Sequence, residues 1–162
     1  MTKLLVRAVL AIVVATSDVA IAAAAAPDPA PVIGTWQLNA SRSTFTPGPA
    51  PNSVTMTYAP AGQSIAIVIK TVGADGKEGT IHLTYQLDGK DYPMTGDTDA
   101  DCLSCKQVGK GNAAKCTVKK AGKALYTVRR TMSKDGKTLT LKAKGTTAKG
   151  EKYENVLVFD KQ

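Results

Sequence analysis

The sequence predicts an all-β protein, an antiparallel up-and-down barrel of about eight to ten strands. Three observations carry that expectation. Short runs alternate apolar and polar residues with a period of two, the mark of a sheet with one wet face. Asp-Gly pairs at 75–76, 88–89 and 135–136 punctuate those runs and suit the backbone of tight hairpin turns. Beyond the N-terminal region no stretch has the rhythm of a long amphipathic helix. Many sequential strands joined by short loops make a meander, and closing a meander into a barrel removes its exposed edges.

The chain has 162 residues. Lys3 and Arg7 precede an apolar run over residues 8–14, and Ala20, Ala22 and Ala24 follow. That order predicts an export signal over residues 1–25. The alternative is a membrane anchor, but the run is shorter than the roughly 20 apolar residues that cross a bilayer. No Cys lies near the cleavage region to take a lipid. Residues 26–32, rich in Ala and Pro, read as a flexible leader. Residues 33–162 form one domain, large enough to bury its own core. The expected location is periplasmic or secreted.

The first strand, residues 33–38, holds the sole tryptophan. Trp36 and Leu38 share a face, on which Trp36 would plug one end of the barrel. Gly34 leaves room for another group to approach closely. In the strand at 53–58, Val54, Met56 and Tyr58 face one way. At 64–71, Ile65, Ile67 and Ile69 do so. At 80–87, Ile81, Leu83, Tyr85 and Leu87 form the apolar side, and His82, the only histidine, falls on the polar side. At 123–133 the faces are Ala124, Tyr126, Val128, Arg130, Met132 against Leu125, Thr127, Arg129, Thr131. The first is more apolar, so Arg130 is expected inward; a register one residue off would instead turn Arg129 inward. At 138–143, Leu139 and Leu141 face the core. The turns "GKGN" at 109–112 and "KKAGK" at 119–123 join late strands.

Cys102, Cys105 and Cys116 lie in the same region. A four-residue loop at 109–112 makes positions summing to 221 face each other, which pairs Cys105 with Cys116 within reach of a disulfide. Cys102 bonded to Cys116 is the competing arrangement. The pairing of Cys105 with Cys116 leaves Cys102 as a thiol. The "CLSC" motif lacks the His of a covalent haem site and the strand-to-helix context of a redox pair. One histidine without paired spacing is a poor start for a zinc site. Asp97, Asp99 and Asp101 begin like a calcium loop, but Cys102 and Val108 stand where that loop needs Gly and Glu. No nucleophile elbow, phosphate loop or dinucleotide fingerprint occurs. The expectation is a protein that is no enzyme and uses no metal or cofactor.

The segments "GTWQLNASRSTFTPGPAP", "LDGKDYPMTGDTDAD" and "SKDGKTLTLKAKGTTAKGE" resemble small exported bacterial lipocalin-like proteins, a group without assigned activity. The Gly-x-Trp opening is similar to that of the wider lipocalin and fatty-acid-binding group. That resemblance implies a lipocalin-like barrel with an arginine of a late strand, Arg130, stacked over Trp36 as a plug. The two short helices that fatty-acid-binding proteins insert after the first strand have no counterpart in the Pro-rich "NASRSTFTPGPAPNS". Larger lipocalins add a helix after the barrel, whereas "KYENVLVFDKQ" is expected to form a strand.

The expected function is binding of a small hydrophobic or amphiphilic molecule inside the barrel. The expected lining is Trp36, Met56, Tyr58, Ile67, Leu83, Tyr85, Tyr126, Val128, Arg130 and Leu141, with Arg130 and the tyrosines meeting the polar end. A dry core filled by its own aliphatic side chains is the rival. Charge offers a second function. Residues 27–100 carry four basic and seven acidic side chains, whereas residues 101–162 carry fifteen and five. A basic C-terminal half is expected to dock on an anionic envelope surface, unless its lysines serve only solubility. Few aromatics and the export signal argue against nucleic acid. A monomer is expected.

Overall fold

The computed structural model describes residues 31–46, 48–96, 99–109, 111–146 and 152–162. The predicted signal and most of the leader therefore lie outside the described residues, as does Asp97 of the acidic turn. Ten strands follow: β1 (Gly34–Leu38), β2 (Ser53–Ala61), β3 (Ser64–Val72), β4 (Glu78–Tyr85), β5 (Asp88–Thr95), β6 (Cys102–Val108), β7 (Ala113–Lys120), β8 (Lys123–Met132), β9 (Thr138–Thr146) and β10 (Lys152–Lys161). Each pairs antiparallel with its sequence neighbours, and β1 closes on β10, giving an all-β, up-and-down barrel. Among the described residues there is no α-helix. One 3-10 turn, Ala40–Arg42, follows β1 and is capped by Asn39, whose side chain accepts the Arg42 N–H at 3.2 Å.

The alternation sets the barrel wall. Met56, Tyr58, Ile65, Ile67, Leu83, Tyr85 and Leu139 are buried in one cluster with Trp36 and Phe159. Their strand neighbours Thr57, His82 and Thr84 are exposed. The turns over Asp75-Gly76 and Asp135-Gly136 form as expected. Each Asp carboxylate accepts the N–H two residues on, from Lys77 and Lys137 respectively, at 3.1 Å.

The third Asp-Gly pair also lies at the centre of its hairpin. His82 pairs with Thr95 and Leu83 with Met94, a register centred on Asp88 and Gly89; Gly89 takes a φ of 81° and Asp88 accepts the Lys90 N–H at 2.9 Å. Asp88 already pairs with Lys106 of β6, and the register slips between Asp88 and Asp91. β5 is registered with β4 at two pairs only, and a bulge sets its register with β6. Leu87 lies just beyond β4 and still packs on the core.

Candidate functional site

Trp36 sits at one end of the barrel, fully buried. Its indole N–H donates to the Val32 carbonyl at 2.8 Å, so the segment entering β1 folds beneath the ring. Trp36 faces Lys161 across the β1–β10 seam and Met56 across the β1–β2 seam. The cation over the indole is Lys161, whose Nζ lies 5.4 Å from the ring centre. A Cβ at Gly34 would come within 2.9 Å of the Lys161 Cε. Gly34 thus leaves the groove through which the lysine stem reaches the tryptophan. This corrects the expected pairing of Arg130 with Trp36: a partner from the last strand, adjacent to β1, occupies that position instead.

Above the plug lies a cavity of about 440 Å³. That volume falls in the range of small-molecule sites, roughly 300–1,000 Å³. Met56, Tyr58, Ile67, Leu83, Tyr85, Tyr126, Val128, Arg130 and Leu141 line it, nine of the ten residues named from sequence. The tenth, Trp36, forms the closed end and does not line it. Met94, Leu103, Cys116, Val118, Ala143, Tyr153, Asn155, Leu157 and Phe159 complete much of the wall and were not foreseen.

Two groups of polar side chains interrupt this apolar lining. The first comprises Arg130, Tyr85 and Tyr58. Arg130 is only 7% exposed. Its Nη1 donates to the Tyr85 hydroxyl at 2.8 Å, and its guanidinium carbon lies 5.6 Å from the centre of the Tyr58 ring. Burial pushes the Tyr58 hydroxyl well above the ordinary tyrosine pKa; the neighbouring Tyr85 adds to the rise and Arg130 opposes it. Burial raises Tyr85 as well, again against the pull of Arg130. Both phenols are therefore neutral at physiological pH and can donate or accept hydrogen bonds. None of the described ion pairs includes Arg130.

The second group, Tyr126, Tyr153 and Asn155, lies toward the other end. Tyr126 and Tyr153 flank Gly145 from the neighbouring strands. A Cβ at Gly145 would sit 2.7 Å from the Tyr126 Cβ and 2.8 Å from the Tyr153 hydroxyl. The tyrosine ring fills the space that a side chain at 145 would take. Asn155 accepts the backbone N–H of Thr46 at 2.6 Å, tying the stretch after β1 to this end of the cavity.

Cys105 and Cys116 face each other in the β6–β7 register and form a disulfide, with Cα atoms 4.1 Å apart. Cys105 is fully buried and Cys116 lines the cavity. Cys102 is the free thiol. Burial raises its pKa, and the Asp91 carboxylate adds to the rise, so the less reactive thiol form is favoured. His82 lies exposed on the outer wall, away from the cavity. No group of three or more His, Cys, Asp or Glu side chains among the described residues is placed to hold a metal.

The fold and the cavity define a class: a closed ten-stranded antiparallel barrel with an apolar interior and a buried cation in its wall, consistent with a lipocalin-like barrel. No protein-family model matches the chain, and no curated protein matches it either.

Proposed function

We propose that this protein binds a small amphiphilic molecule with an anionic head, without transforming it. The apolar body lies in the cavity and the head meets Arg130. One observation carries this reading: a guanidinium buried in an apolar cavity beside two neutral phenols, with no carboxylate in ion-pair reach among the described residues. Holding an unpaired cation out of water costs several kcal/mol, and an anionic head group returns much of that. Tyr85 holds the guanidinium in place, while Tyr58 lies under its face.

The test compares a long-chain fatty acid with the matching alcohol, each displacing a fluorescent apolar probe. The wild-type protein prefers the acid by at least about tenfold, or about 1.4 kcal/mol. Arg130→Gln abolishes the preference and keeps the alcohol affinity. Equal affinity for acid and alcohol in the wild-type protein, or no uptake of either, overturns the reading.

We further propose that the protein works outside the cytoplasm. The disulfide is compatible with an oxidising compartment, and the charged, apolar and small-residue order of residues 1–25 supports export. Protein recovered from its own cells should begin near residue 26, which sequencing of its N-terminus checks. An intact Met1 in the recovered protein counts against export by cleavage.

A further inference from the structure

The outer wall carries a feature that cavity binding leaves unexplained. Four cations stand directly opposite one another across four consecutive strands. Lys106 of β6 pairs with Lys115 of β7, Lys115 with Arg129 of β8, and Arg129 with Lys142 of β9. All four are exposed. Side chains so placed have Cβ atoms about 4.5–5.5 Å apart, and like charges at that spacing destabilise a sheet. Elsewhere this barrel mixes its charges. Lys144 meets Glu154 at 2.9 Å and Lys119 meets Asp91 at 2.6 Å. None of the four cations in the row has such a partner among the described residues. Asp88, opposite Lys106, is engaged by Lys90 and by the Tyr92 hydroxyl.

The flanks of the row narrow the partner. Ser104, Thr117 and Thr127 run along one side, and Thr131 and Thr140 stand on the other. Hydroxyls beside cations suit anionic oxygens, which accept hydrogen bonds from both. The strip has no aromatic on which a base could stack. Leu125, the exposed large hydrophobic among the described residues, lies beyond the Thr127 row. A lasting hold on a membrane surface usually joins cations to an apolar or lipid anchor, which this strip lacks. A linear chain of repeating anionic groups needs no anchor, since each group can meet one cation in turn.

We propose that the β6–β9 face docks a linear, base-free phosphate polyanion lying across the strands along Lys106, Lys115, Arg129 and Lys142. The site stands apart from the cavity and does not depend on its ligand. Long-chain inorganic polyphosphate is the probe, with orthophosphate and phosphatidylglycerol vesicles as comparisons, read by titration calorimetry or co-sedimentation. Polyphosphate binds, orthophosphate does not compete at equal phosphate concentration, and affinity falls on the order of fifty-fold between about 50 and 200 mM salt, as four neutralised charges require. Lys115→Gln with Arg129→Gln weakens binding at least about tenfold. Lys77→Gln with Lys134→Gln removes the same net charge outside the row and leaves binding within about twofold. Relief of repulsion means the row variant melts no lower than the wild-type protein. Equal weakening by both double variants, vesicle binding without polyphosphate binding, no polyphosphate binding at all, or a lower melting temperature in the row variant overturns the proposal.

Discussion

The single tryptophan shows how much one residue can be read from its neighbours. Its inward face follows from the alternation with Thr35 and Gln37, and its place behind a glycine follows from the Lys161 stem that crosses Gly34. The lysine itself was not legible. It depends on β1 meeting β10, the contact most distant along the chain. Arg130 divides the same way. Alternation along β8 turns it inward, but its partner Tyr58 comes from β2, a strand that does not neighbour β8. Trp36→Ala should cost about 3–5 kcal/mol. Trp36→Phe should cost less, about 1–2 kcal/mol, mostly for the Val32 carbonyl left without its donor. Urea unfolding measures both. Because Trp36 is fully buried but does not line the cavity, a ligand should leave its emission nearly unchanged. A pH dependence belongs to this scale too. Tyr58 keeps its proton in the folded protein at a pH where the unfolded chain has lost it. The folded state then binds more protons, so stability is full below about pH 10 and falls as pH rises from there toward the raised folded pKa. Tyr58→Phe should flatten that fall, seen as a smaller drop in urea midpoint between about pH 8 and 11. An unchanged drop would show that other groups govern it.

At the scale of elements, legibility followed the turns. Val108 pairs with Ala113, and the register that follows places Cys105 opposite Cys116, so the spacing favoured that disulfide over the competing one from Cys102. β5 could not be read. Its inward side shows only Tyr92 and Met94, with Pro93 between them, and its pairing shifts at the bulge just before them, so the alternation is too short to mark a strand. β10 was legible as the closing strand in "KYENVLVFDKQ", but its inward face was not. Val156 and Val158 are apolar on the face opposite Leu157 and Phe159, which hides the alternation. The stretch after β1 explains them: Val158 donates its N–H to the Ser43 hydroxyl at 2.9 Å, and its carbonyl accepts the Asn39 N–H at 2.8 Å. A covered outer face has no need of polar residues. The disulfide closes a short loop, with 11 residues of separation. Cys105→Ala with Cys116→Ala should cost about 2–3 kcal/mol. Cys102→Ala should cost far less, and non-reducing peptide mapping of that variant should still show Cys105 joined to Cys116. A protein equally stable in reductant would mean the staple adds nothing to a hairpin the barrel already holds.

For the whole molecule, a closed barrel of about eight to ten strands with an apolar interior was legible, but whether that interior is full was not. Empty volume is a sum over all strands, set by how large and small lining residues such as Leu141 and Ala143 meet across the barrel, which alternation along one strand does not give. Closure itself rests on a short seam. β1 and β10 share three registered pairs, Trp36 with Lys161, Gln37 with Asp160 and Leu38 with Phe159. Asp160 adds the Asn39 side chain at 2.7 Å and Arg42 at 3.1 Å. Phe159 is buried against the same core as Trp36. Deleting residues 159–162 removes every one of those pairs and the Lys161 cation above the indole. The loss of the Phe159 ring alone is worth about 3–5 kcal/mol, a large part of the stability of a domain this size. The truncated chain should lose its cooperative melt, and its tryptophan emission should shift to the red as water reaches the ring. Uptake of an apolar probe should disappear with it, since a cavity needs a closed wall. Deleting Gln162 alone removes one backbone hydrogen bond, to Thr35 at 2.9 Å, and should leave all three observables near wild type. If the longer deletion keeps a blue emission and a sharp melt, the nine remaining neighbour pairings hold the barrel and the seam is only its finish.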